Sequence, residues 1–149
     1  MPRIARQTAA TKTPRILLGT DVTMRAIRRY AKQVAEQFQP DQIILFGSHA
    51  YGTPNADSDV DLLVVMPTRN QAGQAVRIRW AIEAPFPLDL LVRTPRTLKW
   101  RLEAGDWFLR EIVSLGKVLY EKPHGHLGSK SRRRLLHGKS TPAKSASAS

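Results

Sequence analysis

Apolar residues between Asp21 and Phe38 fall at Met24, Ile27, Ala31, Val34 and Phe38, a repeat of three and four positions that gathers them on one face of a helix. Thr20 or Asp21 is available to cap its start, and Pro40 closes it. Gln42 to Phe46 is a short, β-rich apolar run that stops at Gly47, the pattern of a buried strand ending in a turn. Gly52, Pro54 and Asn55 then mark a loop before a second buried strand, Val60 to Met66, which Pro67 ends. A third strand, Leu88 to Val92, is entered through Pro85 and Pro87.

About 20 residues separate the second and third strands. Val76, Ile78, Trp80 and Ile82 alternate with other residues as a strand would, yet Ala72, Ala75, Val76 and Trp80 also suit a helix. Periodicity leaves both open. A helix is the expectation, because both flanking strands carry acids near their starts, which a parallel pairing would gather. A parallel pair also needs a crossover of this length. Thr94 and Pro95 supply an N-cap and a first-position proline for a helix ending near Gly105. Asp106 caps the next helix, with Trp107 or Phe108, Ile112 and Leu115 toward the core and Gly116 as its stop. Lys117 to Tyr120 reads as a last short strand. This order predicts an α/β fold of the α+β kind, a small mixed β-sheet with helices packed against it.

The length of 149 residues is that of one domain with tails. The net charge of +12 invites a nucleic-acid reading until its distribution is considered. Residues 1–20 contain four basic residues and no acid, and residues 122–149 contain seven and no acid. Residues 21–121 keep 13 basic and all 12 acidic residues, so this segment is nearly neutral. The expected organisation is a flexible basic segment over 1–20, a folded domain over 21–121 and a disordered basic tail over 122–149. Arg132, Arg133 and Arg134 read as a solvated flexible end. Cysteine is absent, which excludes disulfides and thiolate metal sites, and no apolar run is long enough for a membrane span. A cytoplasmic protein is the expectation.

Chemistry concentrates between Gly47 and Asp61. Glycine after a buried strand lets the backbone turn tightly and leaves its amide open to a phosphate, and the Ser48 hydroxyl adds a donor where a short helix would start. Asp59 and Asp61 flank Val60 at the mouth of an apolar strand, so both carboxylates share one face. They repel one another unless a cation neutralises them, and oxygen-only ligands suit Mg²⁺. Asp89 interrupts the third strand, where parallel pairing would bring it beside the other two. An acid embedded among apolar residues needs a partner there. Three acids suffice for two metal ions roughly 3.5 to 4 Å apart. Asp57 reads as a solvated or turn-capping loop residue. His49 reads as a loop residue within reach of a phosphate, since no second His or Cys has ligand spacing. His124, His126 and His137 lie in the tail and read as inert. Trp80, Trp100 and Trp107 read as core or partly buried helix residues rather than a base-stacking platform.

Gly-Ser, ten intervening residues and Asp-x-Asp-Leu-Leu-Val, with a later strand acid, resembles the nucleotidyltransferase fold of the DNA polymerase beta superfamily, above all the minimal nucleotidyltransferases. The resemblance spans residues 22–121. It implies that Asp59, Asp61 and Asp89 bind Mg²⁺, that Asp89 helps activate an acceptor hydroxyl, and that Gly47 and Ser48 hold the phosphates of ATP or another nucleoside triphosphate. The reaction it implies is transfer of a nucleoside monophosphate, with pyrophosphate leaving. Many relatives place arginine after Gly-Ser where this chain has His49, which implies weaker or pH-dependent phosphate affinity. The minimal group often pairs with a HEPN-like helical toxin, acting as its antitoxin and in some cases adenylylating it.

Three functions are compatible with these features: an enzyme transferring AMP or another nucleotide to a protein hydroxyl, a non-catalytic antitoxin that occludes its toxin, and a nucleic-acid binder working through the basic ends. The last has a distinct signature in binding titrations over a salt series. Nucleic-acid affinity would fall steeply with salt and vanish on removal of residues 122–149. Affinity that survives the truncation removes the tail from any such role.

Overall fold

The computed structural model of the protein describes residues 16–123. The tail histidines His124, His126 and His137 and the arginine run at Arg132 lie outside the described residues. Helix α1, Met24–Phe38, opens at Thr23, whose side chain accepts a hydrogen bond from the Ala26 amide at 3.1 Å. The cap is therefore Thr23 rather than Thr20 or Asp21, because Gly19–Asp21 forms its own 3₁₀ turn. The helix ends at Gln39 in the left-handed conformation, with φ 50°, directly before Pro40. Ile27, Tyr30, Ala31, Val34 and Ala35 make its buried stripe, with Met24 and Phe38 half-buried at its ends.

Strands β1, Gln42–Phe46, β2, Val60–Val65, β3, Leu88–Arg93, and β4, Lys117–Glu121, form one sheet in the order β3-β2-β1-β4. β1 is antiparallel to β2 and β4, while β2 and β3 are parallel. The parallel pair is joined through helix α3, Gln71–Ala81, which is the crossover expected from the spacing. The alternation at Val76, Ile78, Trp80 and Ile82 proves to be two helical stripes, each repeating at four residues. Ile78 and Ile82 are buried, and Val76 and Trp80 are exposed. A short helix α2, Ser48–Tyr51, follows β1, and helices α4, Pro95–Glu103, and α5, Trp107–Leu115, lie between β3 and β4. Thr94 and Asp106 cap α4 and α5 as their sequence predicts.

The two central strands are buried on both faces, and their side chains alternate between two cores. Ile43, Leu45, Leu62 and Val64 pack with α1 and Ile78 of α3. Ile44, Phe46, Leu63 and Val65 pack with Leu98 of α4 and Leu109, Ile112 and Val113 of α5. This is a mixed α/β fold in three layers. It corrects two readings of burial. In α5, the inward stripe is Leu109, Ile112 and Val113, while Trp107 and Leu115 are exposed and Phe108 is about half-exposed. On that helix Arg110, Glu111 and Ser114 share a polar face with Trp107, and the apolar face is centred on Leu109 and Ile112 with Phe108 and Leu115 at its edge. Trp80, Trp100 and Trp107 are exposed helix residues, not core.

Both ends of the described residues are tied to loops beside the sheet. The Leu17 amide donates to the Pro85 carbonyl at 2.7 Å, and Gly19 is buried. At the other end the Lys122 amide donates to the Asp41 carbonyl at 2.9 Å, while its ammonium lies 3.7 Å from the Asp41 carboxylate. No helix among the described residues is long and apolar enough to cross a membrane.

Leu62 has no exposed surface and stands in the centre of the sheet. Leu62→Ala is expected to cost about 3 kcal/mol, combining lost burial with the cavity left behind. Urea unfolding would show it as a lower midpoint with an unchanged slope.

Candidate active site

β1 ends at Phe46 and the chain reverses through Gly47, whose φ of 78° and ψ of −163° lie where a side chain is disfavoured. A second constraint acts at the same position. A Cβ on Gly47 would overlap a carboxylate oxygen of Asp61 and stand 3.0 Å from that residue's Cγ. Glycine is thus required both by the turn and by the side chain pressed against it. The Gly47 carbonyl accepts from the Ala50 and Tyr51 amides at 2.9 and 3.1 Å, which starts α2. The first amides of a helix have no acceptor within it, so those of Ser48 and His49, with the Ser48 hydroxyl, are donors suited to an anion beside Asp61.

The loop before β2 is tied by its own polar groups. Asn55 Oδ1 accepts from the Asp57 amide at 2.8 Å, the Asn55 carbonyl accepts from the Ser58 amide at 3.0 Å, and Ser58 Oγ accepts from the Asn55 amide at 2.8 Å. This Asx-type turn fixes the chain immediately before Asp59. Asp57 is exposed and enters the turn through its backbone, in keeping with a loop role. Gly19, at φ 44°, lies so close that a Cβ there would meet the Asn55 carbonyl oxygen and come within 2.5 Å of Ala56 Cα. Since Leu17 bonds Pro85, the stretch from 17 to 19 touches both loops that lead to the acid-bearing strands.

The parallel register sets Asp61 opposite Asp89, and the antiparallel register sets it opposite Phe46. Leu63 and Val65 belong to the core beneath α4 and α5, so period-two alternation puts Asp61 on that face of the sheet. Burial pushes the Asp61 carboxyl up to about 6, and the charges of Asp89 and then Asp59 add to it. The three acids and the Gly47-Ser48 turn therefore lie toward one end of the sheet. Two sequence readings change. Asp89 is exposed, so its position follows from strand register rather than from a buried charge needing a partner. His49 belongs to α2 rather than a loop, and its Nε2 is buried without a hydrogen-bond partner among the described residues. Phe108, read from the sequence only as a core candidate, sets its ring edge to face against Phe46 at 5.8 Å and 86°. A groove of about 330 Å³ between α3 and the approach to β3, lined by Arg79, Trp80, Glu83 and Phe86 among others, contains none of these acids.

The sequence profile of the nucleotidyltransferase domain matches residues 27–120, which takes in the Gly-Ser turn, all three acids and the whole sheet up to Tyr120. The chain belongs to the nucleotidyltransferase domain family. Among solved structures it is similar to a proposed nucleotidyltransferase from Sulfolobus solfataricus. That similarity is 16% identity and a TM-score of 0.44, over 68% of this chain and 82% of the other. A likeness so distant says nothing about substrate or partner. No curated protein matches the chain.

Nucleotidyltransferase domains use a nucleoside triphosphate and a divalent metal. Among the described residues no three His, Cys, Asp or Glu side chains converge into a ready-made metal cage. The donor set nevertheless fits such an ion: carboxylate oxygens only, with one carboxyl held well above its ordinary range in part by its two neighbours. A cation relieves that repulsion, and water and phosphate oxygens complete its shell.

The raised Asp61 value fixes the sign of a pH effect. Between the ordinary value of 3.8 and about 6 the folded state holds a proton that the unfolded chain releases, so stability falls as pH rises through this window. Asp61→Asn is expected to flatten that slope and to raise stability at pH 7 by about 1 kcal/mol, a figure reduced for solvent screening. Urea unfolding of both proteins at pH 4 and pH 7 without divalent metal measures it. An unchanged pH slope in the variant would show that Asp61 is not the group responsible.

Proposed function

We propose that this domain transfers AMP from ATP to a hydroxyl group on a partner protein. The observation that carries the reading is the gathering of Asp59, Asp61 and Asp89 against a Gly-Ser turn at one end of the sheet. In this reading Gly47 and Ser48 hold the triphosphate through backbone amides and the serine hydroxyl. Asp59, Asp61 and Asp89 are the metal ligands, and Mg²⁺ is the ion, as oxygen donors and phosphate co-ligands favour. The bound ion supplies charge neutralisation on the phosphate oxygens. Asp89, exposed on the edge strand β3, takes the proton of the acceptor hydroxyl. The acceptor oxygen then bonds to the α-phosphorus, the bond from that phosphorus to the bridging oxygen breaks, and pyrophosphate leaves.

The acceptor belongs to a partner in this reading, and a HEPN-like helical toxin is the candidate that the family resemblance suggests. Exposed Val76 and Trp80, one turn apart on α3, offer apolar surface for such a contact. In a second reading the domain neutralises the toxin by binding alone, through the same exposed apolar surface and without chemistry at the acids. Labelled ATP, Mg²⁺ and the candidate partner separate the two. The enzyme reading expects label on the partner with the wild type, and at least a hundredfold less with Asp61→Ala. Equal labelling by that variant, or none by the wild type, overturns it. Full neutralisation by a variant carrying both Asp59→Ala and Asp61→Ala makes catalysis dispensable.

A further inference from the structure

Exposed aromatic side chains occur in several places on this domain, and most have no acidic site beside them. Trp80 is 86% exposed and lines the groove beside α3, which holds none of the three acids. Trp100 is exposed on α4, with the guanidinium of Arg101 lying 5.9 Å from its ring centre. Phe108 differs. Its ring rests on Phe46, and Phe46 is the cross-strand partner of Asp61, so Phe46 and Asp61 stand side by side on one face of the sheet.

Phe46 is 6% exposed and Phe108 44%. The inner ring is therefore a buried support, and the outer ring, set edge to face against it, keeps nearly half of its surface open. One further fact makes this a site rather than a loosely covered core. The residue that follows Phe46 is Gly47, so the amide turn, the acids and the aromatic ring meet at the end of a single strand. A nucleotide has the same order of parts: an anionic phosphate chain, a short sugar and a flat, weakly polar base.

We infer that Phe108 is a stacking surface for the base of the nucleotide held by this site, with Phe46 as its support. The inference rests on the nucleotide reading above and adds to it a binding residue outside the acid and glycine motifs. Stacking is tolerant of base identity, because every base presents a π face. Phe108 thus supplies affinity for nucleotides as a class over bare polyphosphate. Discrimination between bases falls to other contacts.

Calorimetric titration of the full chain in Mg²⁺, with ATP in one arm and inorganic tripolyphosphate in the other, tests it. Phe108→Leu keeps an apolar contact to Phe46 but removes the π face. It is expected to weaken ATP binding about tenfold and to leave tripolyphosphate binding unchanged. Phe108→Tyr restores ATP binding. A leucine variant that binds ATP as the wild type does, or that loses both ligands equally, overturns the stacking role while the nucleotide reading stands. Failure of the tyrosine variant to restore ATP binding also overturns that role. A wild type that binds neither ligand overturns the nucleotide reading and the inference with it.

Discussion

Parallel pairing of β2 with β3 is the constraint on which the site depends, because it sets two carboxylates, Asp61 and Asp89, at the same level of adjacent strands. Like charges opposite one another weaken a sheet. The pairing holds because the rest of each strand is apolar and the flanking layers bury it: Leu62, Leu63, Val64 and Val65 are at most 3% exposed, and Leu90 and Val92 complete the match. The carboxylates stand at the strand entrances, where core packing can tolerate a charge. The unfavourable electrostatics show in Asp61, whose carboxyl is pushed up to about 6. Carboxylates that repel one another in this way would be relieved by a cation between them.

The second constraint is steric. Asp61 fills the space that a side chain on residue 47 would need, so the turn amides and the carboxylate are held at contact distance. That closeness links two motifs separated along the chain through a single van der Waals boundary. The Asn55 turn then fixes the connecting loop, and Gly19 packs against its back. Through Leu17 and Pro85 the same N-terminal stretch reaches the entrance of β3. The acids are thus set by sheet register on one side and by a clasp of loops on the other.

The two faces of the sheet divide the work. The face toward α1 and α3 is filled by closely packed aliphatic residues with Tyr30 and Phe86, whose rings meet edge to face at 5.8 Å. The face toward α4 and α5 is also packed at its centre, but at one end it gives way to Asp61, Phe46 and the half-exposed Phe108. The candidate site is confined to the margin of a core rather than to a cavity within it, which leaves Asp59 and Asp89 exposed.

The sequence by itself determined the elements, the candidate site residues and their strand assignment. Apolar period, proline and glycine punctuation and short-range caps are local properties, and Gly47-Ser48, Asp59, Asp61 and Asp89 stand out because each interrupts a local pattern. Even the crossover helix was legible, through the demand that a parallel pair makes on its connection. What only the tertiary structure decided were quantities that depend on residues far apart in the chain. How much of Phe108 and Leu115, at the edge of the apolar face of α5, is covered, why Trp80 is exposed beside buried Ile78, and why Asp89 is exposed all depend on the surface each meets. The contact of Gly47 with Asp61 and the placing of Phe108 over Phe46 are likewise settled only when strands pair and layers close. Burial and strand register are properties of pairs of segments, so no single segment carries them.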